Sequence, residues 1–267
     1  MGLGRGAEGG AMEEDDTEIQ RRVLEEAFGE SSDDDGPAHS AADPSLSRQP
    51  IWESVDGIKG LWLCRDFLSI KQQSLLLSAI EREGWFSDSS HNQAMRFGDL
   101  PEWATELTRL VCEAVCLGQV SFEASRESTF EDQDAEETCP LPLNLLWREP
   151  LFDQLIANVY EPGEGICAHV DLMRFEDGIA IVSLESACVM HFTQSKGGDG
   201  NAELLQGEER IPILLSPGSL ILMSGEARYL WKHEINRKPG YQLWEGKEIY
   251  QQRRTSVTLR KLCKSPN

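Results

Sequence analysis

At 267 residues and 40% hydrophobic content, the chain is long enough for one large domain or two small ones, each with a real core. No apolar run approaches the roughly 18 residues that a membrane helix needs, and the N-terminus lacks the basic-then-apolar layout of a secretory signal, so no membrane partner is expected. The formal net charge of −21 works against nucleic-acid binding driven by counterion release, so any such activity requires a local basic patch or a helper protein.

The charge is unevenly spread. Residues 1–50 hold 13 acidic and 4 basic side chains, a net −9, and the other −12 falls on residues 51–267. The C-terminal segment runs the other way, with Arg253, Arg254, Arg260, Lys261 and Lys264 close together. Seven cysteines without a CxxC pair suit a reducing compartment, which places the protein in the nucleus or the cytoplasm. Cys112 and Cys116, one helical turn apart, read as core residues.

Taken in order, residues 1–50 are rich in Gly, Ser and acidic residues and read as a disordered tail. Within it, Thr17 to Phe28 has helical spacing and is followed by Ser31-Ser32-Asp33-Asp34-Asp35, a possible docking segment for a protein partner beside an acidophilic phosphorylation site. Leu61–Cys64 reads as a strand. Ser69 and Gln72 form a capping-box pattern ahead of a helix whose stripe is Leu76, Leu77 and Ile80. Residues 85–100 read as an irregular polar-aromatic loop. A second helix runs from Pro101 to about Leu117 and buries Trp103, Leu107, Leu110, Val111 and Ala114. Residues 121–140 form an acidic linker. Short strands then recur at 155–160, 166–170, 179–184, 188–192, 211–215, 219–223 and 255–259, the pattern of a sandwich or barrel.

The chemistry centres on Asn158-Val-Tyr160-Glu-Pro-Gly-Glu-Gly-Ile-Cys-Ala-His169-Val-Asp171. It reads as two strands folded back on each other through a Pro162-Gly163 turn of type II. Period-two alternation puts His169 and Asp171 on one face of the second strand. His233, 62 residues beyond Asp171, supplies a second imidazole. Two neutral imidazoles and a carboxylate form a facial set that leaves half of an octahedral Fe(II) shell open. His39 lies in the tail, and His91 and His191 read as surface or core residues. Downstream, Arg254, Ser256, Thr258 and Arg260 share one face of a strand while Val257 and Leu259 share the other. Two arginines facing a polar cavity, with Asn158 and Tyr160, suit a dicarboxylate; Tyr160 as a packed core tyrosine is the alternative.

The order NxY, HxD nine residues later, a distal His and RxxxxxR resembles the AlkB-type family of Fe(II)/2-oxoglutarate-dependent dioxygenases across residues 58–267. The local sequences 169–184, 223–231 and 254–260 look most like the AlkB-homologue branch that hydroxylates a modified tRNA wobble uridine. The resemblance implies a mainly β chain with flanking helices. Residues 151–267 would form the double-stranded β-helix (jelly roll) core, behind an N-terminal α/β extension and substrate lid with its acidic linker at 51–150. It implies Fe(II) held by His169, Asp171 and His233, with 2-oxoglutarate and O2 as co-substrates. Arg254 would pair with the distal carboxylate of 2-oxoglutarate beside Tyr160, and Asn158 and Arg260 would support its metal-chelating end. The implied activity is hydroxylation or oxidative demethylation of a modified base, in RNA or tRNA rather than DNA. The alternatives are the same chemistry on a protein substrate, or a non-catalytic interaction protein with an acidic tail.

Overall fold

The computed structural model describes residues 49–88, 91–121, 139–195, 210–238 and 240–264. The expectations for the tail up to residue 48, including the 17–28 helix, and for most of the acidic linker lie outside the described residues. In chain order the strands are β1 (Ile51–Ser54), β2 (Leu61–Cys64), β3 (Gln93–Phe97), β4 (Gln119–Ser121), β5 (Gln154–Tyr160), β6 (Ile166–His169) and β7 (Ile179–Leu184). They continue as β8 (Cys188–Gln194), β9 (Arg210–Leu215), β10 (Leu220–Met223), β11 (Trp231–Ile235), β12 (Leu243–Trp244), β13 (Lys247–Glu248) and β14 (Arg254–Arg260). The helices are α1 (Ile70–Arg82), α2 (Glu102–Leu117), α3 (Leu143–Leu146) and α4 (Gly225–Tyr229).

Two sheets organise these elements. The larger runs β3-β5-β14-β7-β10-β2-β1-β4 and the smaller β6-β11-β8-β9, with β12 and β13 as a separate pair. From β5 onward the chain alternates between the two large sheets: β5 in the first, β6 in the second, β7 in the first, β8 and β9 in the second, then β10, β11 and β14 by turns. That alternation is the double-stranded β-helix, so the mainly β architecture with flanking helices is as expected.

Side-chain alternation divides the core into two layers. Ile179, Ile181, Ile221 and Met223 from the large sheet meet Met190, Phe192, Ile213 and Leu215 from the small one. The opposite side of the large sheet presents Leu155, Ala157, Val182, Leu222, Val257 and Leu259 to α1 and α2. Strands buried on both faces need nearly continuous apolar runs, which β7 supplies with Ser183 as its one polar residue. α1 begins where expected, because Ser69 Oγ accepts from Gln72 N (3.3 Å) and Gln72 Oε1 accepts from Ser69 N (2.9 Å). Trp52, fully buried, ties β1 to α2 by donating from Nε1 to the Ala114 carbonyl at 2.8 Å.

Three expectations need correction. The turn at Pro162-Gly163 forms: Glu164 N donates to Glu161 O at 2.9 Å and Gly163 has φ +87°. The strands on either side, however, do not pair. Both edges of β5 are already taken by β3 and β14, so β6 crosses to the other sheet and pairs with β11. Residues 85–100 are not wholly irregular, since Gln93–Phe97 is a strand in register with β5. Finally, Cys116 is exposed and Cys112 only partly buried, because α2 turns its core stripe (Trp103, Leu107, Val111, Ala114) away from Cys116.

Candidate metal centre and carboxylate pocket

The crossing of β6 to β11 builds the centre. His233 and His169 are directly opposed in the antiparallel register, with ring centroids 4.3 Å apart. Asp171 follows two residues after β6 ends, and donor atoms of all three side chains lie within 4.8 Å of one another. Asp171 Oδ2 is 3.7 Å from His233 Nε2. Nδ1 of His169 lies 2.8 Å from the Cys167 carbonyl oxygen. That oxygen can only accept, so the proton sits on Nδ1 and the Nε2 lone pair is free for a ligand. Burial, helped by the neighbouring His169 and opposed by Asp171, pushes the His233 imidazole down to about 4, so it is neutral at pH 7.

Asp171 is 6% exposed and its two oxygens differ. Oδ1 accepts from Arg260 Nη2 at 2.5 Å, whereas Oδ2 is buried with no hydrogen-bond partner. A buried carboxylate oxygen with nothing to satisfy it is costly, and a divalent cation between Oδ2 and the two imidazoles would satisfy it. The donor set fits Fe(II).

The loop after Asp171 is held by Arg228 of α4, whose side chain is almost wholly enclosed. It donates to the carbonyls of Asp171 (3.0 Å), Leu172 (2.8 Å) and Phe175 (3.0 Å). α4 is in turn docked by Asp177, whose carboxylate accepts from Gly225 N at 2.9 Å.

A second feature lies on β14. Arg254, Ser256 and Arg260 fall opposite Tyr160, Asn158 and Gln154 in register, so these side chains share the face between the sheets. Arg254 is 3% exposed; its Nε donates to Ser183 Oγ at 3.0 Å, but Nη1 and Nη2 are buried without partners. Arg254 lines a pocket together with Tyr160, Cys188 and Ile235, with Glu161 and Glu164 also on its wall. A guanidinium with two unsatisfied donors in a pocket is the complement of a carboxylate. Burial pushes the Tyr160 phenol up despite Arg254, 5.4 Å from its ring, so the hydroxyl keeps its proton as a donor. Asn158 is buried and its Oδ1 accepts from Gln93 Nε2 at 2.8 Å.

All seven candidate residues therefore face one interior: His169, Asp171 and His233 together, Arg260 bonded to Asp171, Arg254 beside Tyr160, and Asn158 one row along. His91 is exposed, and His191 is buried on the small sheet opposite Pro212 and Glu234, away from the triad. Arg228 and Gln93 were not foreseen. Arg228 looks like an ordinary surface arginine on a short helix, and only the alternation Gln93-x-Met95-x-Phe97 hinted that Gln93 sits on a strand.

The family model described as the 2OG-Fe(II) oxygenase superfamily matches residues 60–260, and the chain belongs to that superfamily. Within it the chain is of AlkB type, a 2-oxoglutarate-dependent dioxygenase by class, and Fe(II), 2-oxoglutarate and O2 are the cofactor and co-substrates of that class. The chain is 27% identical over 239 residues to the tRNA (carboxymethyluridine(34)-5-O)-methyltransferase alkbh8 of Xenopus tropicalis, covering 78% of this chain and 32% of that one. It is also 27% identical over 241 residues to the alkylated DNA repair protein ALKBH8 homolog of Arabidopsis thaliana, covering 80% and 61%. The chain thus spans from a third to three fifths of the length of these relatives. Among solved structures, OsALKBH1 aligns over 79% of this chain and 99% of its own, with TM-score 0.43 and 12% identity.

Proposed function

We propose that this chain uses Fe(II), 2-oxoglutarate and O2 to hydroxylate, or oxidatively demethylate, a modified nucleic-acid base, with RNA or tRNA favoured over DNA. His169, Asp171 and His233 hold the metal. Arg254, with the Tyr160 hydroxyl beside it, grips the distal carboxylate of 2-oxoglutarate. Asn158 supports the chelating end, and Arg260 holds Asp171 Oδ1 so that Oδ2 stays aimed at the metal. The observation that carries the cofactor assignment is the pair of unsatisfied buried groups, Asp171 Oδ2 and the Arg254 Nη atoms, facing one interior. Each is a cost to the empty fold that its ligand would remove.

Bound Fe(II) supplies the oxidising chemistry, in which 2-oxoglutarate and O2 become succinate and CO2 as one oxygen atom enters a C–H bond of the substrate. The protein positions the reactants and excludes water. The nucleic-acid substrate is supported by the names of the relatives above. The net charge of −21 supports the competing reading, a basic peptide as substrate.

The first experiment measures succinate release from 2-oxoglutarate with added Fe(II), comparing the wild type with Asp171→Ala. Equal release would remove the metal assignment. The second adds tRNA, single-stranded DNA or basic peptides, and stimulation by peptide alone would transfer the activity to a protein substrate.

A further inference from the structure

The interior face of the large sheet carries one continuous polar row. Gln93, Asn158, Ser256 and Ser183 stand directly opposite one another on β3, β5, β14 and β7, four neighbouring strands. Directly opposed residues share a face. Ile181, two residues from Ser183, packs toward the small sheet, so the row lines the space between the two sheets. On one side of it stand Tyr160 and Arg254, and on the other Met95, Ile156, Thr258 and Ile181. A polar row in a largely apolar floor is costly unless its members find partners.

Two of the four support the carboxylate clamp. Ser183 Oγ accepts from Arg254 Nε at 3.0 Å, and Ser256 hydrogen-bonds the Tyr160 phenol. The other two bond each other, with Gln93 Nε2 donating to Asn158 Oδ1 at 2.8 Å. A side-chain amide has one accepting prong and one donating prong. Gln93 takes the accepting prong of Asn158, so the prong left to meet a ligand is Nδ2. That choice has a sign. Carboxylate and keto oxygens only accept, so Nδ2 can bond them, whereas a reversed amide would set oxygen against oxygen.

Position matters as much as direction. Asn158 is buried, while Gln93 is exposed on β3, the end strand of the large sheet among the described residues. A hydrogen bond from an exposed edge residue adds little to the stability of the fold. It does hold a buried amide in one of its two orientations.

We propose that Gln93 is a positioning residue for 2-oxoglutarate, fixing the Asn158 amide so that Nδ2 faces the co-substrate. This rests on the placement of 2-oxoglutarate beside Asn158 given above. The N-terminal extension thereby acts on the co-substrate site through β3, a strand outside the 151–267 core.

The test titrates 2-oxoglutarate calorimetrically into the full chain loaded with Mn(II), in about 0.5 M salt so that added surface charge is screened. Three variants differ in what residue 93 offers Asn158. Gln93→Lys keeps a donor, Gln93→Leu offers nothing, and Gln93→Glu offers only an acceptor, which draws Nδ2 away from the co-substrate. Affinity should stay within about two-fold of the wild type for Lys, fall about 2–5-fold for Leu and fall about 10–100-fold for Glu. Mn(II) affinity and melting temperature should barely move in any of them, which a purely structural role for Gln93 would not predict for so large a change in 2-oxoglutarate binding. In an Asn158→Ala background the same three substitutions should differ by no more than about two-fold, because the amide they orient is gone. Wild-type affinity in Gln93→Glu, or a Glu penalty that persists without the Asn158 amide, overturns the role of Gln93. Wild-type affinity in Asn158→Ala itself overturns the placement of 2-oxoglutarate beside Asn158, and the inference with it.

Discussion

Arg260 Nη2 lies 2.5 Å from Asp171 Oδ1, joining the last residue of β14 to the carboxylate of the metal centre. Arg260 also reaches Gln154 Oε1 at 3.4 Å and stands over Phe175, so it is fixed by β5 and the 171–175 loop as well. One oxygen of Asp171 is thereby committed to the protein, and the other has no hydrogen-bond partner.

Replacing Arg260 by Met should leave Asp171 free to turn away from the two imidazoles. Partners of this kind are worth about 10–100-fold in metal affinity. Calorimetric titration with Mn(II) should show a loss of that size, and an unchanged affinity would separate Arg260 from the metal centre.

Arg254→Met should weaken 2-oxoglutarate binding by about 100-fold, because a carboxylate loses two charge-assisted donors. The ligand-free protein should melt close to the wild type, since the change loses the Nε bond to Ser183 Oγ but also removes a buried charge whose Nη atoms have no partners. A large fall in the melting temperature of the ligand-free protein would make Arg254 a structural residue instead.

Arg228→Met removes three donors from the carbonyls of the 171–175 loop. Urea unfolding should report a loss of about 2–5 kcal/mol, because three buried carbonyls lose their charged donor. Manganese affinity should fall in the same variant. Stability lost with metal affinity intact would show that the loop is held without Arg228.

Gly165→Ala tests the approach of the two histidine strands. A Cβ at Gly165 would stand 2.0 Å from the Ile235 carbonyl oxygen, beside the irregularity in the β6–β11 register. The strands must move apart, taking His169 from His233. We expect destabilisation of about 1–3 kcal/mol and weaker metal binding; wild-type values for both would show that the strands yield without separating.

Much of this site was legible in the sequence because its signals are local or periodic. His169-x-Asp171 and Arg254-Thr-Ser-Val-Thr-Leu-Arg260 carry their side-chain directions in the two-residue repeat of a strand, and Ser69-x-x-Gln72 carries its own cap. The Pro162-Gly163 turn was readable for the same reason. Strand partners were not: β5 and β6 are neighbours in the chain, yet no local signal records that β3 and β14 already occupy both edges of β5.

The amino-acid sequence by itself determined which residues are candidates for the chemistry and which faces of their strands they share, since alternation and backbone chemistry act within a few residues. Only the tertiary structure decided that β6 crosses to β11 and brings His169 against His233, and that Arg260 binds one oxygen of Asp171 and leaves the other open. It alone placed Arg228 beneath the loop and Gln93 beside Asn158. Those arrangements depend on strand pairing and burial across dozens of residues, where the winning contact is set by which edges and donors remain unsatisfied after the rest of the chain has packed.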